Sequence, residues 1–153
     1  MFQSIAQSLA ISLAATAMSA VVASAADLTV AKAEPATVEV SMTNKQDGSQ
    51  IMILSQNTVH QGPVLFKVRN HSGNMVHEFL VLRTDLDPTA FPMEDDGTRV
   101  DEAKLKGIQE MGDLDPGKSG QLKLTLKPGR YVLFCNQPGH FKAGMVASLA
   151  VTP

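Results

Sequence analysis

Lys127-Pro-Gly-Arg-Tyr-Val-Leu-Phe-Cys135-Asn-Gln-Pro-Gly-His140-Phe-Lys-Ala-Gly-Met145 is the stretch whose reading decides the fold. Its first half is a strand, in which Tyr131, Leu133 and Cys135 fall on one face at a period of two. Its second half is a return loop: Pro138-Gly139 supplies a turn, and Gly144 gives the chain freedom to bring Met145 back. Immediately upstream, Leu122, Leu124 and Leu126 alternate on a second strand, joined to the first by Lys127-Pro-Gly129.

The same period recurs towards the N-terminus. Val38, Val40 and Met42 alternate with Thr37, Glu39 and Ser41, which predicts a half-buried strand over 36–43. Asp47-Gly48 marks a turn, Ile51 to Leu54 is a short apolar run, and Gln61-Gly62-Pro63 is a second turn. Val64, Phe66 and Val68 form a strand ending at Asn70, and His77 to Leu82 resumes as another after the loop at His71 to Asn74. Met145 to Val151 closes the chain, and Leu28 to Pro35 reads as a leading strand or arm. Seven to eight short strands with turns between them describe an all-β sandwich. Parallel βαβ units are not expected, because all but one of the connections are too short to hold helices.

One segment breaks the pattern. Arg83 to Lys118 carries Pro88, Pro92 and Pro116 and four glycines, and from Thr84 to Asp115 it holds ten acids against three bases, Arg99, Lys104 and Lys106. Leu105, Ile108 and Met111 fall at three-residue steps, so a short helix is expected over Asp101 to Met111, weakened by Gly107. An irregular excursion of this length is often functional.

The first 25 of the 153 residues read as an export signal. Ile5 to Val22 is rich in Ala, Leu, Ile and Val, no charged side chain precedes Asp27, and Ala23-Ser24-Ala25 offers a small-x-small cleavage site. Residues 26–153 are then one mature domain, exported or periplasmic, with no membrane span once the signal is cut. A net charge of −2 argues against nucleic acid as a partner. The single cysteine permits no internal disulfide, and in an oxidising compartment a spare thiol is a liability unless metal occupies it.

Cys135, His140 and Met145 stand at even five-residue steps, and His77 is available from an earlier strand. Thiolate, two imidazoles and a weak axial thioether form the trigonal arrangement of blue-copper sites. Period two sends Cys135 inward at the end of its strand, where the loop must return His140 and Met145 to the same ion.

The run Pro128 to His140 with Met145, and Asn70 to His77 upstream, resembles the cupredoxin family of small blue-copper proteins. The likeness spans about Ala36 to Val151, and the Cys-x4-His-x4-Met spacing is similar to that of rusticyanin and auracyanin. The resemblance implies a Greek-key sandwich with one type 1 copper ion near a pole, held by His77, Cys135, His140 and Met145. It implies a monomeric one-electron carrier between larger redox partners that dock at the His140 edge. Asn70 and Asn136 are candidates to fix the ligand loops by hydrogen bonds. Met75, Val76, Pro138 and Phe141 are candidates for an apolar docking collar. Where plastocyanin and azurin place an Asn that ties the two ligand loops together, this chain has Glu78. A carboxylate there favours copper(II) and leaves open an alternative, periplasmic copper tolerance or delivery. An enzyme is not expected, since only His60 and His71 remain for a second copper site.

Overall fold

The computed structural model describes residues 34–153. The proposed signal and most of the leading arm lie outside the described residues; Glu34 and Pro35 carry no strand. The described residues hold nine strands: β1 (Ala36–Asn44), β2 (Gln50–Leu54), β3 (Thr58–His60), β4 (Gly62–Asn70), β5 (His77–Arg83), β6 (Gln109–Leu114), β7 (Ser119–Leu126), β8 (Gly129–Phe134) and β9 (Val146–Thr152). They form a two-layer sandwich, a four-stranded sheet in the order β2-β1-β4-β7 against a five-stranded sheet in the order β3-β9-β8-β5-β6. Two of the pairings, β1 with β4 and β3 with β9, are parallel. Neither uses a helical crossover: between β1 and β4 the chain passes through β2 and through β3 of the opposite sheet.

The alternation read from the sequence puts the expected side chains inside. Val38, Val40, Met42, Val64, Phe66 and Val68 from one sheet meet Phe79, Val81, Tyr131, Leu133, Leu149 and Val151 from the other. Phe66 and Phe79 bridge the layers with ring centroids 5.5 Å apart. Burial of one such ring stabilises by about 1.5–3 kcal/mol.

β5 and β8 break the alternation because both their faces are covered. Their outward residues Leu80, Leu82, Val132 and Phe134 pack with Phe91 and Val100 of the excursion into a second apolar cluster. The long segment thus folds down over the outer face of the five-stranded sheet.

Inside the excursion the structure corrects one expectation. The helix anticipated over Asp101 to Met111 is absent: a single 3-10 turn spans Glu102–Lys104, and Gln109–Leu114 is strand β6, an edge partner of β5. Gly107 and Gly112 adopt φ of 84° and 78°, which a right-handed helix does not accommodate. Leu105 and Ile108 still point at apolar surface, the second cluster, without being helical.

Candidate metal centre

The site lies at the pole where β5 begins and β8 ends. Leu80 pairs with Phe134 in the antiparallel ladder. Continuing that register sets Phe79 opposite Cys135 and Glu78 opposite Asn136. His77 shares the inward parity of Phe79 and Val81, so His77 and Cys135 face the space between the sheets, and both are buried. Glu78 takes the opposite parity, towards the excursion.

The loop after Cys135 is closed by its own backbone. His140 N–H donates to Gln137 O at 3.0 Å, Met145 N–H to His140 O at 3.0 Å, and Cys135 N–H to Met145 O at 3.1 Å. Gly139 and Gly144, with φ of 80° and 101°, make the turns. These bonds return His140 beside Cys135: its Nδ1 lies 3.4 Å from Cys135 Sγ and 3.2 Å from His77 Nδ1. One donor atom from each of His77, Cys135 and His140 lies within 4.8 Å of the others. Met145 is fully buried against the same core.

Donors at this spacing suit one first-row ion roughly 2.0–2.3 Å from each. One soft sulfur and two imidazoles select copper over hard cations. A family model for copper binding proteins of the plastocyanin/azurin family matches residues 29–152. The chain belongs to that family.

This cupredoxin's His77, Cys135 and His140 have the type 1 copper pattern. Its fold is shared by solved structures at low sequence identity. Reduced auracyanin from Roseiflexus castenholzii is 21% identical with a TM-score of 0.54, covering 79% of this chain and 99% of that one. Rusticyanin from Thiobacillus ferrooxidans is 17% identical with a TM-score of 0.54, covering 78% and 79%. A multicopper oxidase is 12% identical with a TM-score of 0.51, covering 76% of this chain and 44% of that one. No curated protein matches the sequence.

Electrostatics leave the metal-free donors neutral. Burial, and then the charge of His140, lowers the pKa of His77 to about 4. Burial alone lowers that of His140. Burial raises the Cys135 thiol to about 11 against two backbone hydrogen bonds that favour the thiolate. One of them, Glu78 N–H to Cys135 Sγ, is 3.2 Å long. The imidazole lone pairs are therefore free at neutral pH, and only the sulfur must lose a proton when a cation binds.

Each Asn of the sequence reading is buried and bonded. Asn70 Nδ2 donates to Met75 O and Leu114 O, each at 2.8 Å, and its Oδ1 accepts from Ser72 N and Oγ at 2.9 and 2.6 Å. It thereby shapes the loop that delivers His77. Asn136 is held by Val100 and Glu102 of the excursion. Glu78 is half-buried, and its Oε2 has no hydrogen-bond partner. Burial, and then the charges of Glu102 and Asp113, raise its pKa to about 7 against a smaller opposing effect of Arg99.

Of the collar candidates, Pro138 is exposed and Met75, Val76 and Phe141 are half-buried. Phe141 is also stacked on Phe91, with centroids 5.6 Å apart and planes 8° apart. His60 and His71 are set apart from the cluster of donors: it comprises His77, Cys135 and His140 alone among the described residues.

Sequence reasoning missed Ser72, Glu102 and Gln50. Gln50 N–H donates to Ala143 O at 3.0 Å and its Nε2 to Met75 Sδ at 3.4 Å, so one residue of β2 touches both ligand loops. Ser72 had a local signal, two residues after Asn70 in a tight polar loop. Gln50 and Glu102 had none, since their partners are distant in sequence.

Proposed function

We propose that this cupredoxin is an exported one-electron carrier whose copper ion would be held by His77, Cys135 and His140, with Met145 as a weaker fourth ligand. The observation that carries this reading is the uneven burial of the three clustered donors. His77 and Cys135 are buried and His140 is partly exposed, so one ligand ring offers a route to the surface. Copper, when bound, supplies the reversible one-electron step.

The chain's own residues do the rest. Desolvation keeps both imidazoles neutral, and the Glu78 N–H supports negative charge on the sulfur. The backbone bonds from Cys135 to Met145 hold the loop against collapse or expansion, which favours a small rearrangement between oxidation states. Redox partners dock around the His140 edge, on Met75, Val76, Pro138 and the rim of Phe141.

Export rests on the sequence of residues 1–25, with 26–153 as the mature domain. No described helix is long and apolar enough to cross a membrane.

The reading is tested by adding copper(II) to the metal-free protein. An intense visible absorption is expected, lost in Cys135→Ser, with repeated reduction and reoxidation while the metal stays bound. Persistence of the band in Cys135→Ser would refute the thiolate assignment. Surrender of copper(I) to a modest chelator would favour delivery instead.

A further inference from the structure

The acidic excursion grips the ligand loop at four of six consecutive positions. Val100 N–H donates to Asn136 Oδ1 at 2.7 Å, and Asn136 Nδ2 donates to Val100 O at 3.0 Å and to Glu102 Oε1 at 2.6 Å. Gln137 Nε2 donates to Asp113 Oδ1 at 2.6 Å. Gly139 N–H donates to Thr98 O at 2.8 Å. Phe141 stacks on Phe91.

These grips differ in kind. Asn136 is 1% exposed and Val100 0%, so their reciprocal pair is shielded from water, and both amide ends of Asn136 are used. A buried amide with both ends engaged admits one orientation, because turning it would set donor against donor. Its neighbour Cys135 is covalently tied to that orientation. Glu78, the nearest residue of the His77 strand by register, offers Asn136 no side-chain bond. The Asn136 side chain is therefore held by 98–102 and not by the strand that carries His77.

We propose that Asn136 is a positioning residue through which segment 98–102 holds the Cys135–Met145 loop in its metal-binding shape. The excursion is then a working part of the site rather than a cover for the sheet. The inference rests on the ligand assignment above.

Asn136→Asp tests it, because the variant keeps the shape but replaces the Nδ2 donor with an oxygen facing Val100 O and the Glu102 carboxylate. In the metal-free protein, amide hydrogen exchange at Gly139 and Met145 should quicken about tenfold, the scale of one lost hydrogen bond, while β1 and β4 amides keep their rates. In the copper-loaded protein the midpoint potential should move. Glu102→Gln added to Asn136→Asp returns a donor to the pair and should partly restore both readouts.

Unchanged loop exchange in Asn136→Asp overturns the proposal. So does faster exchange with an unaltered potential, which would make Asn136 an anchor for the excursion only. If Asn136→Asp does not fold, Glu102→Ala removes the 2.6 Å bond, together with the Glu102 charge that acts on Glu78, and is measured in the same two ways. Unchanged exchange, or an unaltered potential, overturns the proposal there as well. Failure of the ligand reading shows separately, as an absorption band that survives Cys135→Ser, and leaves the metal-free exchange result standing.

Discussion

Copper(II) uptake should release a number of protons that varies with pH in a way set by two buried groups. At neutral pH the Cys135 thiol, raised to about 11, is almost wholly protonated, while His77, lowered to about 4, is neutral. Binding at the sulfur therefore expels about one proton per ion, and affinity should rise about tenfold per pH unit while that proton is the only one displaced. Glu78 adds a second contribution. With its pKa raised to about 7, it is about half protonated at pH 7 in the metal-free protein. The net positive charge of a copper(II)–thiolate unit nearby lowers that pKa. Release should then be about 1.5 protons at pH 7, falling to about 1 near pH 8.5 and rising towards 2 near pH 6. Below about pH 5 a proton from His77 adds to this. Calorimetric titration in buffers of different ionisation enthalpy measures the number directly. In Glu78→Gln it should stay near one from about pH 7 to 8.5. Release near zero in the wild type at pH 8 would refute thiolate ligation. A wild-type value already flat at one would refute the coupling to Glu78.

Three further outcomes are expected. Met145→Leu should retain copper and raise the midpoint potential, about 59 mV for each tenfold gain in preference for copper(I), measured by redox titration; an unchanged potential would count against axial ligation. In the metal-free protein, Glu78 is raised from 4.5 to about 7, so the folded state keeps a proton that the unfolded chain releases and stability falls as pH rises across that window. Glu78→Gln should accordingly melt higher than wild type at pH 7.5, and the gain should vanish by about pH 4.5. His77, lowered from 6.5 to about 4, acts oppositely, so the variant's Tm should climb with pH through that interval. Gly144→Ala should destabilise the metal-free protein by about 1–3 kcal/mol in denaturant titration. Gly144 sits at φ +101°, and an added Cβ would lie 3.2 Å from Gln50 O.

The excursion shows where local sequence pattern ceases to decide structure. Leu105, Ile108 and Met111 carry a helical period, yet the chain there is a 3-10 turn followed by an edge strand. Three-residue spacing of apolar side chains is answered by a sheet face that needs covering. That face is itself visible as the unbroken apolar runs Phe79 to Leu82 and Tyr131 to Cys135, since strands buried on both sides lose their alternation. β3 leaves no trace in the pattern because three residues, Thr58–His60, are too few to show a period.

The metal centre is legible to the extent that chemistry is local. Cys135, His140 and Met145 lie on one short loop whose turns are written in Pro138, Gly139 and Gly144, and thiolate with imidazole names its own class of ion. By itself the sequence determined the strand period, the inward face of Cys135, the donor types and the acid-rich character of 84–115. Only the tertiary structure decided that His77 meets Cys135 through the β5–β8 register, that Glu78 turns away towards Glu102 and Asp113, and that Asn136 is held by the excursion. The physical reason is that side-chain periodicity is encoded residue by residue. Which strands become neighbours, and what then covers them, follows from burying all the apolar faces at once.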